Sequence, residues 1–178
     1  MTRDSEDAVL QPDCPDIPQF VTSEQCLRCE VCCRFSGTAS DMAPVFSPRE
    51  AAAALAAGLD AAAFCGAESP MAERAVLVQD DLGAKCPAFD RKANACRFYE
   101  QRPLDCRLYP LVLMYDADGG QVLLAADVAC PVVERHAGTQ RLAEYVRQVS
   151  ELLEGRLSDQ CWESRGAVGE FKPWMLHP

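Results

Sequence analysis

The chain has 178 residues, with 17 Lys and Arg against 27 Asp and Glu, which gives a net charge of −10 at pH 7. Hydrophobic residues make up 49% of the chain and charged residues 25%, which is typical of one folded domain rather than of a disordered segment. The acidic balance argues against a protein that binds nucleic acid, since such proteins normally present a basic face to the phosphates.

The N-terminal segment, residues 1–21, is acidic and contains three prolines. It predicts an extended arm that precedes a single domain over residues 22–178. The first ten residues lack a basic stretch followed by an apolar one, so we predict no secretory signal. The longest weakly polar stretch, residues 51–67, is too short and too weakly apolar to span a bilayer. We therefore expect a cytoplasmic protein that has no membrane partner.

Two capping patterns predict helix starts. Thr22 is followed three positions later by Gln25, which indicates a short helix or helical turn within residues 22–35. Ser47 precedes Pro48 and lies three positions before Glu50, which indicates a second, alanine-rich helix.

The second half of the chain alternates between strand and helix patterns. An apolar run predicts a strand over residues 74–79, and two further runs at residues 111–115 and 122–126 flank an Asp-Gly step that marks a hairpin. Apolar residues recur at helical spacing over residues 139–154. This order of elements predicts a small, compact α+β domain with short helices and a β-hairpin, which we expect to be organised around cysteine-bound metal.

The chain has eleven cysteines but only two histidines, so we expect any bound metal to be held by cysteine thiolates. Disulfides seldom persist in the cytosol, and an odd number of cysteines fits a fully paired disulfide framework poorly. Metal ligation is therefore the favoured interpretation, ahead of a disulfide scaffold or unrelated buried thiols.

Eight of the cysteines form two blocks, enough for two sets of four thiolates. The first block has the dense spacing C-x2-C-x2-C-C, and the second consists of single, widely spaced cysteines. The two blocks are Cys26, Cys29, Cys32 and Cys33, and then Cys86, Cys96, Cys106 and Cys130.

The local conformation of the first block leaves two arrangements open. On a continuous helix, Cys26, Cys29 and Cys33 would share one face and Cys32 would point elsewhere. In a loop, Cys26, Cys29 and Cys32 could instead wrap one cluster, as cysteines at this spacing do in two-cluster ferredoxins.

Iron–sulfur and zinc are the two competing cofactors. Structural zinc commonly uses pairs of C-x2-C knuckles, and eight cysteines could form two zinc sites with four thiolates each. One dense block followed by single cysteines favours an iron–sulfur cluster, of the [4Fe–4S] type in the ferredoxin comparison. Two of the single cysteines also precede proline, at Cys86-Pro87 and Cys130-Pro131, as the fourth ligand of such clusters does.

Thiolates bound to a metal leave a net negative charge, which nearby cations should offset. Three arginines lie close in sequence to the cysteines and are candidates for contacts with the sulfurs or the cofactor: Arg97, Arg102 and Arg107. The alternative is that these arginines are ordinary surface charges.

The cysteine segments resemble one known family. The first block, together with Cys86-Pro87 and the motif Arg102-Pro103-Leu104-Asp105-Cys106-Arg107-Leu108-Tyr109-Pro110, is similar to the CxxCxxCC (YkgJ-like) proteins, to which zinc or iron chelation is ascribed. The resemblance implies that all eight cysteines of the two blocks are metal ligands. It gives no role to the remaining three, which are Cys14, Cys65 and Cys161.

Three functions follow from these patterns. The first is a metal-binding protein whose cluster serves structure, redox chemistry or iron handling. The second is a zinc-organised module that binds a protein partner. The third comes from the resemblance alone, since related sequences include a flagellin lysine N-methylase. We predict no catalytic residue, because no Ser–His pair, paired carboxylates or phosphate-binding loop stands out, and whether the chain is an enzyme stays open.

Overall fold

The computed structural model describes residues 16–66, 73–154, 168–169, 172 and 175. Its α-helices are α1 (Ser23–Leu27), α2 (Pro48–Ala56), α3 (Leu104–Leu108), α4 (Pro131–His136) and α5 (Gln140–Glu154). Its strands are β1 (Arg34–Phe35), β2 (Val45–Phe46), β3 (Phe64–Gly66), β4 (Glu73–Ala75), β5 (Val78–Asp80), β6 (Gly83–Lys85), β7 (Phe89–Asp90), β8 (Ala95–Cys96), β9 (Leu111–Tyr115), β10 (Val122–Ala126) and β11 (Val168–Gly169). Short 3-10 turns cover Val31–Cys33, Ala61–Ala63 and Tyr99–Gln101.

Both predicted capping patterns begin helices. The Thr22 hydroxyl accepts a hydrogen bond from the Gln25 backbone N–H at 3.3 Å, and the Gln25 amide oxygen accepts one from the Thr22 N–H at 3.2 Å. The Ser47 side chain caps α2 in the same way. Because α1 ends at Leu27, the first cysteine block is a helical turn, a loop and a 3-10 turn rather than one continuous helix.

The strands form three small three-stranded sheets and one strand pair, in the orders β1-β6-β5, β2-β4-β3, β10-β9-β11 and β7-β8. The single strand predicted over residues 74–79 is wrong. It is two strands, β4 and β5, which belong to different sheets on either side of the buried Leu77. Gly83 opens β6 at φ +120°, and a side chain there would lie 2.6 Å from the Phe35 carbonyl oxygen of β1. Glycine therefore permits the close approach of these two strands.

The predicted hairpin and long helix are confirmed and form the larger core. β9 pairs antiparallel with β10 over their full length, with Leu111 opposite Ala126. The α5 residues Leu142 and Val149 are buried in the same core as Leu111. Ile17 and Phe20 also pack into this core, so the end of the segment predicted as an arm lies against the domain.

A second core surrounds the short strands of the N-terminal half. It contains Phe46 of β2, Ala54 of α2 and Phe89 of β7, and Cys33 and Cys96 pack against it. Helices and antiparallel strand pairs are thus mixed in one small domain, so the predicted α+β class is confirmed. Within the described residues, no helix is both long and apolar enough to cross a membrane.

Candidate metal centre

One cavity of about 90 Å³ collects most of the predicted ligands. Leu27, Phe89 and Val112 supply apolar surface to its lining, and Asn94 and Arg102 supply polar groups. Seven cysteines of the two blocks also line the cavity: Cys26, Cys29, Cys32, Cys33, Cys86, Cys96 and Cys106. Residues distant in the sequence therefore present their thiols to the same space.

The first block reaches the cavity through two tight turns. The Cys29 N–H donates to the Cys26 carbonyl at 3.0 Å, and the Cys33 N–H donates to the Glu30 carbonyl at 3.0 Å. These turns let all four cysteines of the block face one space, which a continuous helix would not allow. Arg34 then fixes the end of the block, because it pairs with Asp80 of β5 at 2.6 Å while both side chains are largely buried.

Three of the four cysteines of the second block reach the same space from different parts of the chain. Cys86 follows β6 directly, and its N–H donates to the Cys33 carbonyl at 3.0 Å. Cys96 lies on β8, and Cys106 lies in the middle of α3. The N-terminus of α3 is held by Glu50, whose carboxylate accepts a hydrogen bond from the Leu104 N–H at 2.7 Å.

The thiols interact with one another inside the cavity. Cys32 Sγ lies 4.0 Å from Cys33 Sγ. In a tetrahedral zinc–thiolate site with Zn–S bonds of about 2.3 Å, neighbouring sulfurs are about 3.8 Å apart. This pair of thiols is therefore already close to the separation that two ligands of one metal require.

Burial and crowding raise the pKa of several of these thiols. A hydrogen bond with Cys32, together with burial, raises the pKa of the Cys26 thiol well above its usual range. Burial raises the pKa of Cys86 to about 11, and it raises the pKa of Cys106 well above the ordinary value. A bound metal ion would supply the positive charge that such thiolates need, so metal binding should release protons.

The donor chemistry fits zinc or iron, because both metals take Cys sulfur and the lining offers seven thiols. In the described part of the chain, no three or more His, Cys, Asp or Glu side chains already stand at ligand spacing around one point. The cysteines line the cavity without converging on one point. The cysteines therefore suit zinc or iron in the type of donor atom and in their common location, but they do not yet have the geometry of a coordination shell.

Cys130 differs from the other seven. It is buried at the start of α4, and it does not belong to the cavity lining. Burial raises the pKa of its thiol, and the nearby Cys29 and Asp127 act in the same direction. Cys130 packs into the larger core rather than into the cavity lining.

The three arginines occupy different places. Arg102 lines the cavity and stacks on the Tyr99 ring with its guanidinium carbon 3.7 Å from the ring centre. Its charge opposes the rise in pKa that Cys32 and burial cause at Cys26 and that burial causes at Cys96. Arg97 donates to the Pro87 carbonyl at 2.8 Å, and its charge opposes the rise in pKa that burial causes at Cys86 and Cys96.

Arg107 lies elsewhere. Its guanidinium is 3.7 Å from the Glu50 carboxylate, and both side chains are largely buried. Arg107 is not part of the cavity lining. It follows Cys106 on α3, and a helix directs successive side chains about 100° apart, so adjacency in sequence does not place it at the thiols.

Sequence reasoning did not select Asp105 for the site, although it lines the cavity. One of its carboxylate oxygens accepts a hydrogen bond from the Val45 N–H at 3.1 Å, and burial raises the pKa of this carboxyl to about 6. Its position directly before Cys106 was the available signal. The carboxylate brings an oxygen group to a cavity otherwise dominated by sulfur.

The three cysteines without a predicted role differ from the cavity cysteines or lie outside the described residues. Cys65 is exposed, donates to the Arg74 carbonyl at 3.7 Å and does not line the cavity. Cys14 and Cys161 lie outside the described residues. Cys65 is therefore a natural reference thiol for experiments on the cavity cysteines.

Comparison with known proteins agrees with the cysteine pattern. Searches of curated proteins and of solved structures found no match. Residues 25–131, more than half of the chain, match the family model described as "CxxCxxCC: Putative zinc- or iron-chelating domain". The matched range contains the seven cavity cysteines and Cys130. The chain belongs to this CxxCxxCC family.

Proposed function

We propose that this protein binds metal through the cysteines of its two blocks and holds an iron–sulfur cluster in the cavity between them. The observation that carries the proposal is the convergence of seven cysteine side chains on a single space. Two independent zinc sites of four thiolates each would divide these side chains between two places. A shared space suits one centre that contains several metal ions.

The size of the cavity is compatible with a polynuclear centre. A single ordered water needs only about 10–15 Å³, whereas the volume here is about 90 Å³. The space between the thiols therefore has room for a group of several atoms.

The surroundings suit a negatively charged metal–thiolate centre. Arg102 places a cation beside Cys26 and Cys96, and Arg97 places one near Cys86. Apolar side chains such as Met42, Phe89 and Val112 limit the access of water. Hydrophobic cover and nearby charge are the means by which a protein tunes the potential and stability of such a centre.

When bound, an iron–sulfur cluster would supply one-electron redox chemistry. The residues of this chain would have three tasks: the thiolates hold the centre, Arg102 and Arg97 offset its charge, and the apolar lining excludes water. These tasks serve a structural, redox or iron-handling role equally well.

A zinc-organised module that binds a protein partner is the second candidate. The 4.0 Å separation of the Cys32 and Cys33 sulfurs favours it, since two ligands of one tetrahedral zinc lie at nearly that distance. In the described part of the chain, no feature specifically favours the lysine methylase-like alternative.

Purification without oxygen separates the two candidates. We expect a brown protein with broad absorbance near about 400 nm and matching amounts of iron and acid-labile sulfide. A colourless protein with about two zinc ions per chain and no sulfide would instead support the zinc module. A protein that holds neither metal would contradict both.

A further inference from the structure

Tyr109 carries a hydroxyl group that has lost contact with water without gaining a partner. The residue follows α3 and precedes Pro110, and its side chain lines the thiol cavity. Within the described structure, the Tyr109 hydroxyl oxygen is buried and makes no hydrogen bond. A buried hydroxyl without a partner costs free energy, so its retention calls for an explanation.

Cysteines from two parts of the chain belong to the surroundings of Tyr109. Tyr109 lines the cavity together with Cys29 and Cys32. It also packs against the larger core, which contains Cys130. Burial raises the pKa of Tyr109, and the charges of Asp127 and these cysteines act in the same direction. Asp127 accepts a hydrogen bond from the Ala129 N–H at 2.9 Å, and no hydrogen bond joins it to the Tyr109 hydroxyl.

A metal ion would change what these cysteines can offer. A protonated thiol is a weak acceptor, whereas a metal-bound thiolate keeps lone pairs and negative charge that attract an O–H donor. The Tyr109 hydroxyl is buried and makes no hydrogen bond within the described structure, and its residue lines the cavity together with Cys29 and Cys32, so it is available to donate to such a thiolate.

We propose that the Tyr109 hydroxyl donates a hydrogen bond to a metal-bound thiolate of Cys29, Cys32 or Cys130, and that it thereby strengthens metal binding. The inference rests on the proposed metal binding and assigns Tyr109 a positioning role rather than a ligand role. Groups that hydrogen-bond to metal ligands typically contribute 10–100-fold in metal affinity. A hydrogen bond to sulfur also favours the reduced, more negative state of an iron–sulfur centre.

The test is Tyr109→Phe, which removes only the hydroxyl. Tyr145→Phe is the control, because Tyr145 also carries a buried hydroxyl but lies on α5, outside the cavity lining. Affinity for Zn²⁺ is measured for wild type and both variants by competition with a chromophoric chelator under reducing conditions. Thermal unfolding of the metal-free proteins is measured in parallel.

We expect Tyr109→Phe to bind Zn²⁺ about 10–100-fold more weakly than wild type, while Tyr145→Phe binds as wild type does. The metal-free Tyr109→Phe protein should be at least as stable as wild type, because the change removes an unsatisfied group. In protein loaded with iron and sulfide, the midpoint potential of Tyr109→Phe should shift downward. Equal Zn²⁺ affinity in wild type and Tyr109→Phe would overturn this inference and leave the proposed function standing. Failure of the wild-type protein to bind metal would overturn both.

Discussion

The backbone N–H of Cys86 donates a hydrogen bond to the carbonyl of Cys33 at 3.0 Å. This bond joins the two cysteine blocks through the main chain, beside the antiparallel pairing of Arg34 with Lys85. Both cysteines line the cavity. The protein backbone therefore brings the two blocks together through the pairing of β1 with β6. A bound metal would stabilise this arrangement further.

Replacing a cavity cysteine with serine should remove metal and lower stability. We expect Cys29→Ser and Cys106→Ser each to reduce metal content per chain and the thermal midpoint, because serine oxygen is a poor substitute for thiolate toward zinc or iron–sulfur centres. Cys65→Ser is the control, since Cys65 is exposed and outside the cavity lining. Metal content and midpoint unchanged in both cavity variants would show that the ligand assignment is wrong.

Removing the metal should destabilise the fold itself. A ligand present at about 1,000 times its Kd stabilises the native state by about 4 kcal/mol, which corresponds to roughly 10 °C in a domain of this size. We therefore expect a strong chelator to lower the thermal midpoint by roughly 10 °C, and metal with reductant to restore it. Calorimetry with and without chelator checks this expectation, and identical midpoints would contradict coupling between metal and fold.

Glu50 should be more important for stability than a surface carboxylate. Its two oxygens accept hydrogen bonds from the Ser47 N–H at 2.8 Å and the Leu104 N–H at 2.7 Å, so one side chain caps both α2 and α3. Glu50→Gln keeps one acceptor oxygen and leaves one backbone N–H without its partner. We expect a loss of about 1–3 kcal/mol in the free energy of unfolding.

Denaturant titration measures this loss. Glu151→Gln is its control, because Glu151 pairs with Arg147 on the exposed face of α5 and should change stability by less than about 0.5 kcal/mol. Equal effects of the two substitutions would mean that Glu50 does not hold the two helices together.

The ion pair between Arg34 and Asp80 should make the free energy of unfolding depend on pH in the acidic range. The Leu82 N–H and the Arg34 guanidinium lower the pKa of Asp80 in the folded state. The unfolded chain therefore binds a proton at Asp80 more readily, so this stabilisation is complete above the unfolded pKa of about 3.9 and is lost as pH falls through the folded value.

Comparison of wild type with Asp80→Asn over a range of pH tests this dependence. The two proteins should differ most in free energy of unfolding at neutral pH and progressively less below pH about 4. Asp118→Asn, on the exposed turn between β9 and β10, is the control for the substitution itself and should change the free energy of unfolding at neutral pH by less than about 0.5 kcal/mol. A wild-type advantage over Asp80→Asn that stays constant down to low pH would rule out the contribution of this pair.

Local signals in the sequence predicted the local structure well. The capping residues Thr22 and Ser47 begin helices, the Asp-Gly step at residues 118–119 lies between β9 and β10, and apolar spacing predicts α5 to within one residue at its start. Each of these signals acts over a few residues. The conformational preferences of the residues and their local hydrogen bonds were therefore sufficient to predict these helices and the hairpin.

The arrangement of the site could be predicted only in part. The cysteine spacing indicated thiolate chemistry, but the convergence of seven side chains depends on pairing between strands of two or three residues, whose register no short pattern specifies. The splitting of residues 74–79 into β4 and β5 has the same origin. Arg107 was assigned by proximity in sequence, whereas its direction on α3 turns it toward Glu50.

X-ray absorption at the edge of the bound metal tests the central claim most directly, because it reports the atoms that surround the metal in the intact protein. Whether the metal is iron or zinc, we expect a first shell dominated by sulfur at about 2.3 Å. In Cys106→Ser the sulfur shell should diminish, and in Cys65→Ser it should be unchanged. A first shell of nitrogen and oxygen in the wild-type protein would contradict a metal centre built from these cysteines.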